Sequence, residues 1–389
     1  MLITWIATVR KCFDAAQFPL SIGLLAWVPL SVAMTGWIGG AIEQFSSFTP
    51  IMIFFLISAT TIDTPARLNK LFFIIGTVSA VIALHGIEQS QLAVGWSGAT
   101  LIQERITYVG FLNDPNDLAQ LLLVSVPMVL SFLHRRGNFF LAIVGVAATS
   151  AMLYSVYLTN SRGAIVALAV MAMVFSIFRY GFKKSLFLSP ILLAVIFVAS
   201  PGRISEISAD EASASGRIEA WYDGFQMLKS HPIFGVGKSQ FIEHHERTAH
   251  NSFVLALAEL GVIGYFFWFS LIAVSGRMLI TLLGAHILQS ENDSPSDIAE
   301  REEHRRLARV LLYSLTGFCV TAFFLSRSYT ITLYLLVAMI VGLYQSARSR
   351  CWPSLPAMTL KELSGWLIKL VLASIFALWL TTRILLAFN

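Results

Sequence analysis

Long apolar segments, separated by short polar connections, follow one another along the whole chain. Most have roughly 17 to 25 residues, the length that an α-helix needs to cross the ~30 Å hydrocarbon core of a bilayer. The short alternating segments that make outer-membrane barrels are absent from the sequence. The pattern predicts about eleven transmembrane helices, within a range of roughly 10–12. We place them near residues 18–39, 45–62, 71–89, 114–133, 139–158, 163–178, 185–200, 250–276, 307–325, 329–346 and 364–387.

The composition supports a membrane protein. Of the 389 residues, 56% are hydrophobic and 13% are charged, and the mean hydropathy is +0.73. Soluble globular domains carry about 25% charged residues, so that class is excluded. We therefore predict an all-α polytopic membrane protein in which residues 1–389 form a single membrane domain. No clear cleavage site precedes the first apolar run, which we expect the protein to keep.

Lysine and arginine residues are concentrated in every second connection between the apolar segments. These basic connections contain Arg10 and Lys11, Arg67 and Lys70, and residues 134–137, 179–184, 301–306 and 346–350. By the positive-inside rule they face the cytoplasm. The alternate connections are expected on the other side of the membrane, at residues 90–113, 159–162, 201–249 and 326–328. The net charge of +5 thus reflects the orientation of the protein in the membrane. We expect no nucleic acid partner.

Residues 201–249 are the one larger loop, which the charge pattern assigns to the outer, periplasmic side. Apolar residues recur within it at helical spacing and predict a short amphipathic helix. The helix is expected to begin after Gly216 and to end before Pro232. Its apolar face would comprise Ile218, Trp221, Tyr222, Phe225 and Leu228.

Cysteine and histidine residues give no readable metal motif. The three cysteines, Cys12, Cys319 and Cys351, are far apart in the sequence, which indicates neither a disulfide framework nor a metal knuckle. His244, His245 and His250 match no standard zinc spacing. We expect no metal and no cofactor.

The outward segment "GFLNDPNDLAQ" at 110–120 contains two polar pairs. Asn113 or Asp114 before Pro115 is typical of a helix start, with a capping side chain followed by proline in the first turn. Asn116 and Asp117 lie one turn further on, where polar side chains usually face a bundle interior or a wet cavity. We assign this second pair a supporting role.

Three of the arginines in the outward connections are candidate anion ligands. Arg162, in "TNSRGA", is an interfacial snorkelling residue, a partner of Asp114 or Asp117, or an anion ligand. The second interpretation rests on the planar guanidinium group, which binds phosphate oxygens in a bidentate manner. Together with Arg217 and Arg327, Arg162 would form a diphosphate site.

His250 and Asn251 lie at the start of the apolar run "SFVLALAELGVIGYFFW". Asn251 or Ser252 would cap the helix, and His250 would then be a spectator. Alternatively, the imidazole is a general base, since an unperturbed pKa of about 6.5 suits the removal of a proton from a sugar hydroxyl. Asn251 would then orient the ring or the hydroxyl. Glu259, further along the helix, is assigned a supporting role between helices.

The order of these segments resembles that of the O-antigen ligase and Wzy-type polysaccharide polymerase superfamily. Its members have many spans, an "SRG" turn after a middle span, and a large outward loop with "GRxxxW", "P(I/L)xGxG" and an ending like "HNxxLxxxxExGxxG". Here these motifs read "NSRGA" at 160–164, "GRIEAW" at 216–221, "HPIFGVG" at 231–237 and "AHNSFVLALAELGVIG" at 249–264. The similarity covers about residues 105–270 and includes "NDPNDLA" at 113–119.

The resemblance implies a glycosyltransferase of the bacterial inner membrane. Such an enzyme transfers or polymerises a polyprenyl-diphosphate-linked oligosaccharide at the periplasmic face, in contact with membrane lipid. The family's diphosphate-binding arginines correspond to Arg162 and Arg217, and its essential loop histidine corresponds to His250. No metal is required, because diphosphate is a good leaving group and one base activates the acceptor hydroxyl. In-line attack would invert the anomeric centre.

The acceptor stays open, because ligases, polymerases and protein O-glycosylation ligases share these motifs. It is a glycan, a lipid or a protein. Two other classes are alternatives: a membrane transporter, which would show paired broken helices in two similar halves, and a polysaccharide-export scaffold without catalysis.

Overall fold

The computed structural model describes residues 14–133, 139–187, 207–285 and 294–388, without side chains for 207–214. In these ranges the chain is helical, apart from connections and two isolated β-bridges. The helices are α1 (Gln17–Ala33), α2 (Ile38–Thr61), α3 (Pro65–Leu92), α4 (Pro115–Leu130), α5 (Phe139–Leu158), α6 (Arg162–Tyr180), α7 (Ile207–Ser230), α8 (Phe241–His244), α9 (Ser252–Gly284), α10 (Pro295–Ala322), α11 (Ile331–Arg350) and α12 (Leu360–Ala387).

Seven of the described helices are long and apolar enough to cross a membrane: α2, α3, α5, α6, α9, α11 and α12. Helices α1 and α4 are apolar but shorter. This architecture agrees with the predicted all-α polytopic membrane protein. The count of eleven spans and the outward loop stay predictions.

Ten of the predicted spans coincide with a helix, and the remaining one, at 185–200, lies mostly outside the described residues. The predicted boundary between the first two spans is wrong. The first span was expected to reach residue 39, but α1 ends at Ala33 and a turn precedes α2 at Ile38. Apolar residues continue across this turn, so hydropathy does not reveal it.

The predicted amphipathic helix is present, but its start is wrong. It ends at Ser230, before Pro232 as expected, whereas the chain is already helical at Ile207. Ser215 and Gly216 therefore lie inside α7 rather than before it. A glycine inside a helix costs only about 1 kcal/mol relative to alanine, so neighbouring helix-forming residues can override it.

The chain divides into two compact units. The first comprises Met1–Thr64, Glu206–His304 and Ala322–Asn389, and the second comprises Pro65–Ser205 and Arg305–Thr321. Helix α10 contributes its first part to one unit and its second part to the other.

The core of the first unit is formed by α1, α2, α9 and α11, which contact one another. Large aromatic side chains are fully buried there, among them Trp268, Tyr265, Tyr334, Phe48 and Phe55. Lipid tails are as apolar as these side chains, so the association of helices depends on close packing and on interhelical hydrogen bonds. One such bond joins the Tyr265 hydroxyl of α9 and the Ser374 hydroxyl of α12 at 3.1 Å.

In the second unit α3, α4 and α5 pack against one another. Small polar side chains link the helices inside this core. The Ser79 hydroxyl donates to Ser125 Oγ at 2.9 Å, which joins α3 to α4. The Ser155 hydroxyl of α5 donates to the Ala83 carbonyl of α3 at 2.7 Å. These bonds satisfy polar groups that would be costly to leave unpaired in lipid.

The predicted orientation is testable by cysteine labelling, using two side chains that the structure exposes. In a background without native cysteines, Glu243→Cys in the large loop should react with a membrane-impermeant maleimide in intact spheroplasts. Lys183→Cys, in a basic connection, should react only after permeabilisation. The reverse labelling pattern would contradict the assigned orientation.

Candidate functional site

Helix α9 is interrupted at Gly261, which has a φ of 66° and a ψ of −173°. Such a residue cannot continue the i to i−4 hydrogen-bond pattern of an α-helix. Backbone groups on both sides of Gly261 therefore need other partners, because an unpaired backbone group in lipid costs several kcal/mol.

The preceding loop supplies most of these partners. The Val236 N–H donates to the Ala258 carbonyl at 3.0 Å, and the Gly237 N–H donates to the Glu259 carbonyl at 2.9 Å. In the other direction, the Val262 N–H donates to the Pro232 carbonyl at 2.9 Å. The motif "HPIFGVG" is thus hydrogen-bonded to the broken turn of "AELGVIG".

Helix α1 supplies a further partner at the same break. The Trp27 indole N–H donates to the Leu260 carbonyl at 2.9 Å, and its ring stacks on Phe234 with centroids 4.9 Å apart. One aromatic side chain therefore contacts both the broken turn and the loop that binds it.

Two glycines permit this close approach. A Cβ atom on Gly235 would overlap the backbone of Glu259, and one on Gly261 would overlap the Ile233 carbonyl. Both residues also have positive φ values, which L side chains rarely adopt. Glycine is therefore required at both positions by contact and by backbone conformation.

A buried charged cluster lies beside the break. The Glu259 carboxylate faces the backbone N–H groups of Ser239 and Phe241 and the hydroxyl of Tyr329. Lys238 is 8% exposed; its ammonium donates to the Gln44 side-chain carbonyl and lies 5.1 Å from the centre of the Tyr329 ring. Burial lowers the pKa of Lys238, and the Glu259 carboxylate partly offsets this effect. Glu259 thus contributes to the attachment of the loop.

Asn251 caps α9, as one of the two interpretations predicted. Its side-chain oxygen accepts from the N–H groups of Phe253 at 2.9 Å and Val254 at 3.2 Å. The residue is fully buried, and its amide nitrogen has no hydrogen-bond partner among the described residues. Only this Nδ2 group is left for the predicted role in orienting an imidazole or a hydroxyl.

Ser252 joins the start of α9 to the "SRSY" turn. Its hydroxyl donates to the Leu325 carbonyl at 2.5 Å and accepts from the Arg327 N–H at 2.8 Å. The Ser328 hydroxyl donates back to the Ser252 carbonyl at 2.7 Å, and the Trp268 indole N–H donates to the Ser328 carbonyl at 2.8 Å. The backbone of Arg327 is therefore held directly against the residue that follows Asn251.

Two further bonds hold the residues that precede His250. The Trp221 indole N–H, from α7, donates to the Ala249 carbonyl at 2.9 Å. The Thr248 hydroxyl donates to the Ser326 hydroxyl at 2.8 Å. His250 itself has a φ of 47°, a left-handed conformation that is uncommon outside glycine. Strain of this kind persists only where surrounding contacts impose it, and it is often found at functional sites.

The first unit therefore brings together three of the predicted site segments. Arg217 lies one helical turn before Trp221 on α7, and Arg327 lies in the turn that binds Thr248 and Ser252. Sequence reasoning missed Arg247, whose guanidinium lies near Gly216. Its position in the charged stretch "EHHER", close to His250, could have identified it as a candidate site residue.

A polar cavity of about 770 Å³ opens beside these segments, between residues 215–219 of α7 and residues 242–247. Glu219, Glu243 and Arg247 line it together with His244 and His245. His244 is exposed, whereas the His245 side chain is mostly buried. The ring is 14% exposed and Nδ1 lies 2.9 Å from Asp223 Oδ2, because the four-residue helix α8 turns it back toward α7.

In the second unit, Ser161 caps α6 by accepting from the Ala164 N–H at 3.4 Å, which places Arg162 in the first turn with an exposed side chain. Asp114 caps α4 with Pro115 in its first turn, as predicted. Asn116 is held by Arg105, whose guanidinium donates to Asn116 Oδ1 at 2.9 Å and to the Thr159 carbonyl at 2.7 Å. Asp117 is 5% exposed. Arg105 was missed, although it is a cation in a connection that was predicted to face outward.

An apolar groove of about 740 Å³ also lies in the first unit. It is lined by residues of α7, α9 and α12, among them Phe225, Leu228, Val262, Phe376 and Trp379. Phe225 and Leu228 belong to the apolar face that the sequence predicted for α7.

The fold and these segments define a multi-pass membrane protein with a docked loop before a broken helix. The model of the O-antigen ligase family matches residues 147–269, a range that contains all four motifs. The match confirms the resemblance of this region to the O-antigen ligase family. A comparison with curated proteins finds no match.

The glycine contacts generate a stability prediction. Gly235→Ala should lower the thermal unfolding temperature of the detergent-solubilised protein, because the new Cβ meets backbone and the φ of 70° is strained. A cost of about 1–3 kcal/mol is expected. Gly276→Ala, in the same α9 helix but with open space around it, is the matched control and should leave the temperature unchanged or slightly higher. Equal unfolding temperatures for both variants would contradict the close contact.

Proposed function

We propose that this protein is an inner-membrane glycosyltransferase that transfers or polymerises a polyprenyl-diphosphate-linked glycan at the periplasmic face. The observation that carries the proposal is the set of hydrogen bonds around residues 248–252. They bind the segments of Arg217 and Arg327 to the neighbours of His250. The family match over residues 147–269 supports the same reaction class.

In the proposed reaction an acceptor hydroxyl attacks the anomeric carbon of the donor sugar. The bond from that carbon to the diphosphate oxygen breaks, and polyprenyl diphosphate leaves with the electron pair. The hydroxyl proton passes to the imidazole of His250, which acts as general base. In-line displacement inverts the anomeric centre, and no metal takes part in the proposed step.

Arg217 and Arg327 are proposed to bind the diphosphate. Their guanidinium groups neutralise the charge that develops on the leaving group, which is the main catalytic requirement when the leaving group is already good. Arg162 belongs to the second unit and is included on the strength of its "SRG" motif alone. Asn116, Asp117 and Glu259 are proposed as supporting residues, because Asn116 accepts from Arg105 and the other two side chains are buried.

Two openings among the described residues of the first unit suit the two parts of such a donor. The polar cavity lined by Glu219, Glu243 and the loop histidines offers hydrogen-bond partners for sugar hydroxyls. The groove lined by Phe225, Leu228 and Trp379 offers an apolar surface for a polyprenyl chain. A donor with a polar glycan and a long apolar tail needs both kinds of surface.

The break in α9 does not favour a transporter. Broken helices of transporters leave backbone groups free to bind substrate or ions. Here the carbonyls of residues 258–260 are occupied by Val236, Gly237 and Trp27. The break therefore serves to bind the loop.

Incubation of the purified protein with a polyprenyl-diphosphate oligosaccharide, followed by mass spectrometry, tests the reaction class. Longer glycans indicate a polymerase, and glycan on a new acceptor indicates a ligase. If the donor stays unchanged with every class of acceptor, the enzyme proposal is wrong, and the transporter and scaffold alternatives gain support.

The arginine proposal predicts that geometry matters as well as charge. Arg217→Lys and Arg162→Lys should each reduce kcat/KM at least about tenfold, because lysine cannot donate in the bidentate manner of guanidinium. Arg67→Lys, in a basic connection on the opposite side of the predicted topology, is the matched control and should keep activity. Full activity of both site variants would show that the arginines act as interfacial anchors.

The base proposal predicts a specific ranking of histidine variants. His250→Ala should lower kcat by about 10²–10⁴-fold while donor binding, measured by equilibrium dialysis, is retained. Wild-type activity should also fall at acidic pH, because a protonated imidazole cannot accept the hydroxyl proton.

His245→Ala and Asp223→Asn should lower activity less than about tenfold, since this pair is proposed to shape the loop. His244→Ala, at an exposed position, serves as the control. The base would instead be His245 if the largest loss occurred in His245→Ala and Asp223→Asn while His250→Ala stayed active.

A further inference from the structure

Glu300, His304 and Cys351 form a cluster of potential metal ligands in the first unit. Their ligand atoms all lie within 4.8 Å of one another. His304 is fully buried and Cys351 is 6% exposed, whereas the Glu300 side chain is 40% exposed. The cluster therefore has a closed inner side and is accessible through its carboxylate.

Two helices present these side chains. Glu300 and His304 are four residues apart on α10, so they lie on the same face of that helix. Cys351 directly follows α11, and its N–H continues the helical pattern by donating to the Ala347 carbonyl at 2.9 Å. All three positions are thus set by regular helical structure rather than by a loop.

The distance between the Cys351 and His304 donor atoms suits a tetrahedral ion. Cys351 Sγ lies 3.5 Å from His304 Nδ1. In a tetrahedral zinc site with bonds of about 2.0–2.3 Å, neighbouring ligand atoms are roughly 3.3–3.8 Å apart. Thiolate, imidazole and carboxylate are the three side-chain types that zinc accepts.

The imidazole also has a partner of the kind that orients metal-bound histidines. His304 Nε2 lies 2.9 Å from the hydroxyl of Ser346, which is 3% exposed. His304 Nδ1 lies 2.8 Å from the Glu300 carbonyl. An ion on Nδ1 would replace this second contact, and Nε2–H would donate to Ser346, which fixes the ring and its tautomer.

We propose that Glu300, His304 and Cys351 bind a divalent transition-metal ion of the zinc type. Three protein ligands leave a fourth position for water. Arg350 competes for the carboxylate, since its Nη1 lies 3.8 Å from Glu300 Oε1. Both side chains of that ion pair are substantially exposed, so it contributes little and can give way to the ion.

The proposed metal site is separate from the proposed reaction. Helix α11 has 20 residues and starts just after Arg327, whereas Cys351 follows its last residue. The two ends of such a helix are about 30 Å apart. The ion would therefore connect α10 to the end of α11, and its presence does not depend on glycosyl transfer.

Metal analysis of the full-length protein in detergent tests the site. After dialysis against Zn²⁺ and then against metal-free buffer, the wild type should retain about one equivalent of zinc by mass spectrometry. Cys351→Ser and Glu300→Gln should each weaken zinc binding at least about tenfold. Cys319→Ser, at a cysteine outside the cluster, is the matched control and should retain the metal.

Cobalt substitution identifies the ligand. Co²⁺ in the wild type should give the near-ultraviolet thiolate charge-transfer band, and Cys351→Ser should lose it while Cys319→Ser keeps it. Zinc should raise the unfolding temperature of the wild type but not that of Cys351→Ser.

Two outcomes would overturn the proposal: a wild type that retains no zinc, or zinc retention that is equal in the wild type, Cys351→Ser and Glu300→Gln. Glu300 is partly exposed, so Glu300→Gln is expected to fold even if the cysteine variant does not.

Discussion

The backbone break at Gly261 is the constraint on which the arrangement of the first unit depends. A helix that crosses lipid must satisfy every backbone polar group within the protein, so a broken turn is tolerated only where other groups replace the lost bonds. Here the residues of the preceding loop and the indole of Trp27 do so. The loop is therefore held at a definite position, because releasing it would expose the unpaired groups of α9 as well as its own.

The attachment of the loop also determines the positions of the other segments of the candidate site. The docked loop places α8 beside α7, and α7 contributes Trp221 to the carbonyl just before His250. On the other side of His250, Ser252 binds the turn that contains Arg327. Each of these bonds involves a buried donor or acceptor, so each carries the penalty of an unsatisfied group if it is broken. The left-handed backbone of His250 is maintained by these neighbours.

Features that depend on local chemistry were predictable from the sequence. The helix positions follow from apolar length, and the caps at Asp114 and Asn251 follow from the side chains that precede each helix. Features that depend on contacts between distant segments were not. Nothing in "ELGVIG" shows that its Gly261 breaks a helix until the partner loop is known, and Arg105 gains its meaning only from Asn116 and Thr159. Likewise Cys351 lies 47 residues from His304, and only the packing of α10 against the end of α11 brings them together.

The interlocked loop and helix also have a consequence for biosynthesis. Residues 232–237 are made before residues 258–262, and they cannot form their final hydrogen bonds until the later segment has entered the bilayer and broken at Gly261. Maturation of the loop is thus coupled to insertion of the helix that follows it, in the order of synthesis. Without that helix, the loop would lose the carbonyl and N–H partners that define its shape. It is therefore not expected to fold as an independent domain.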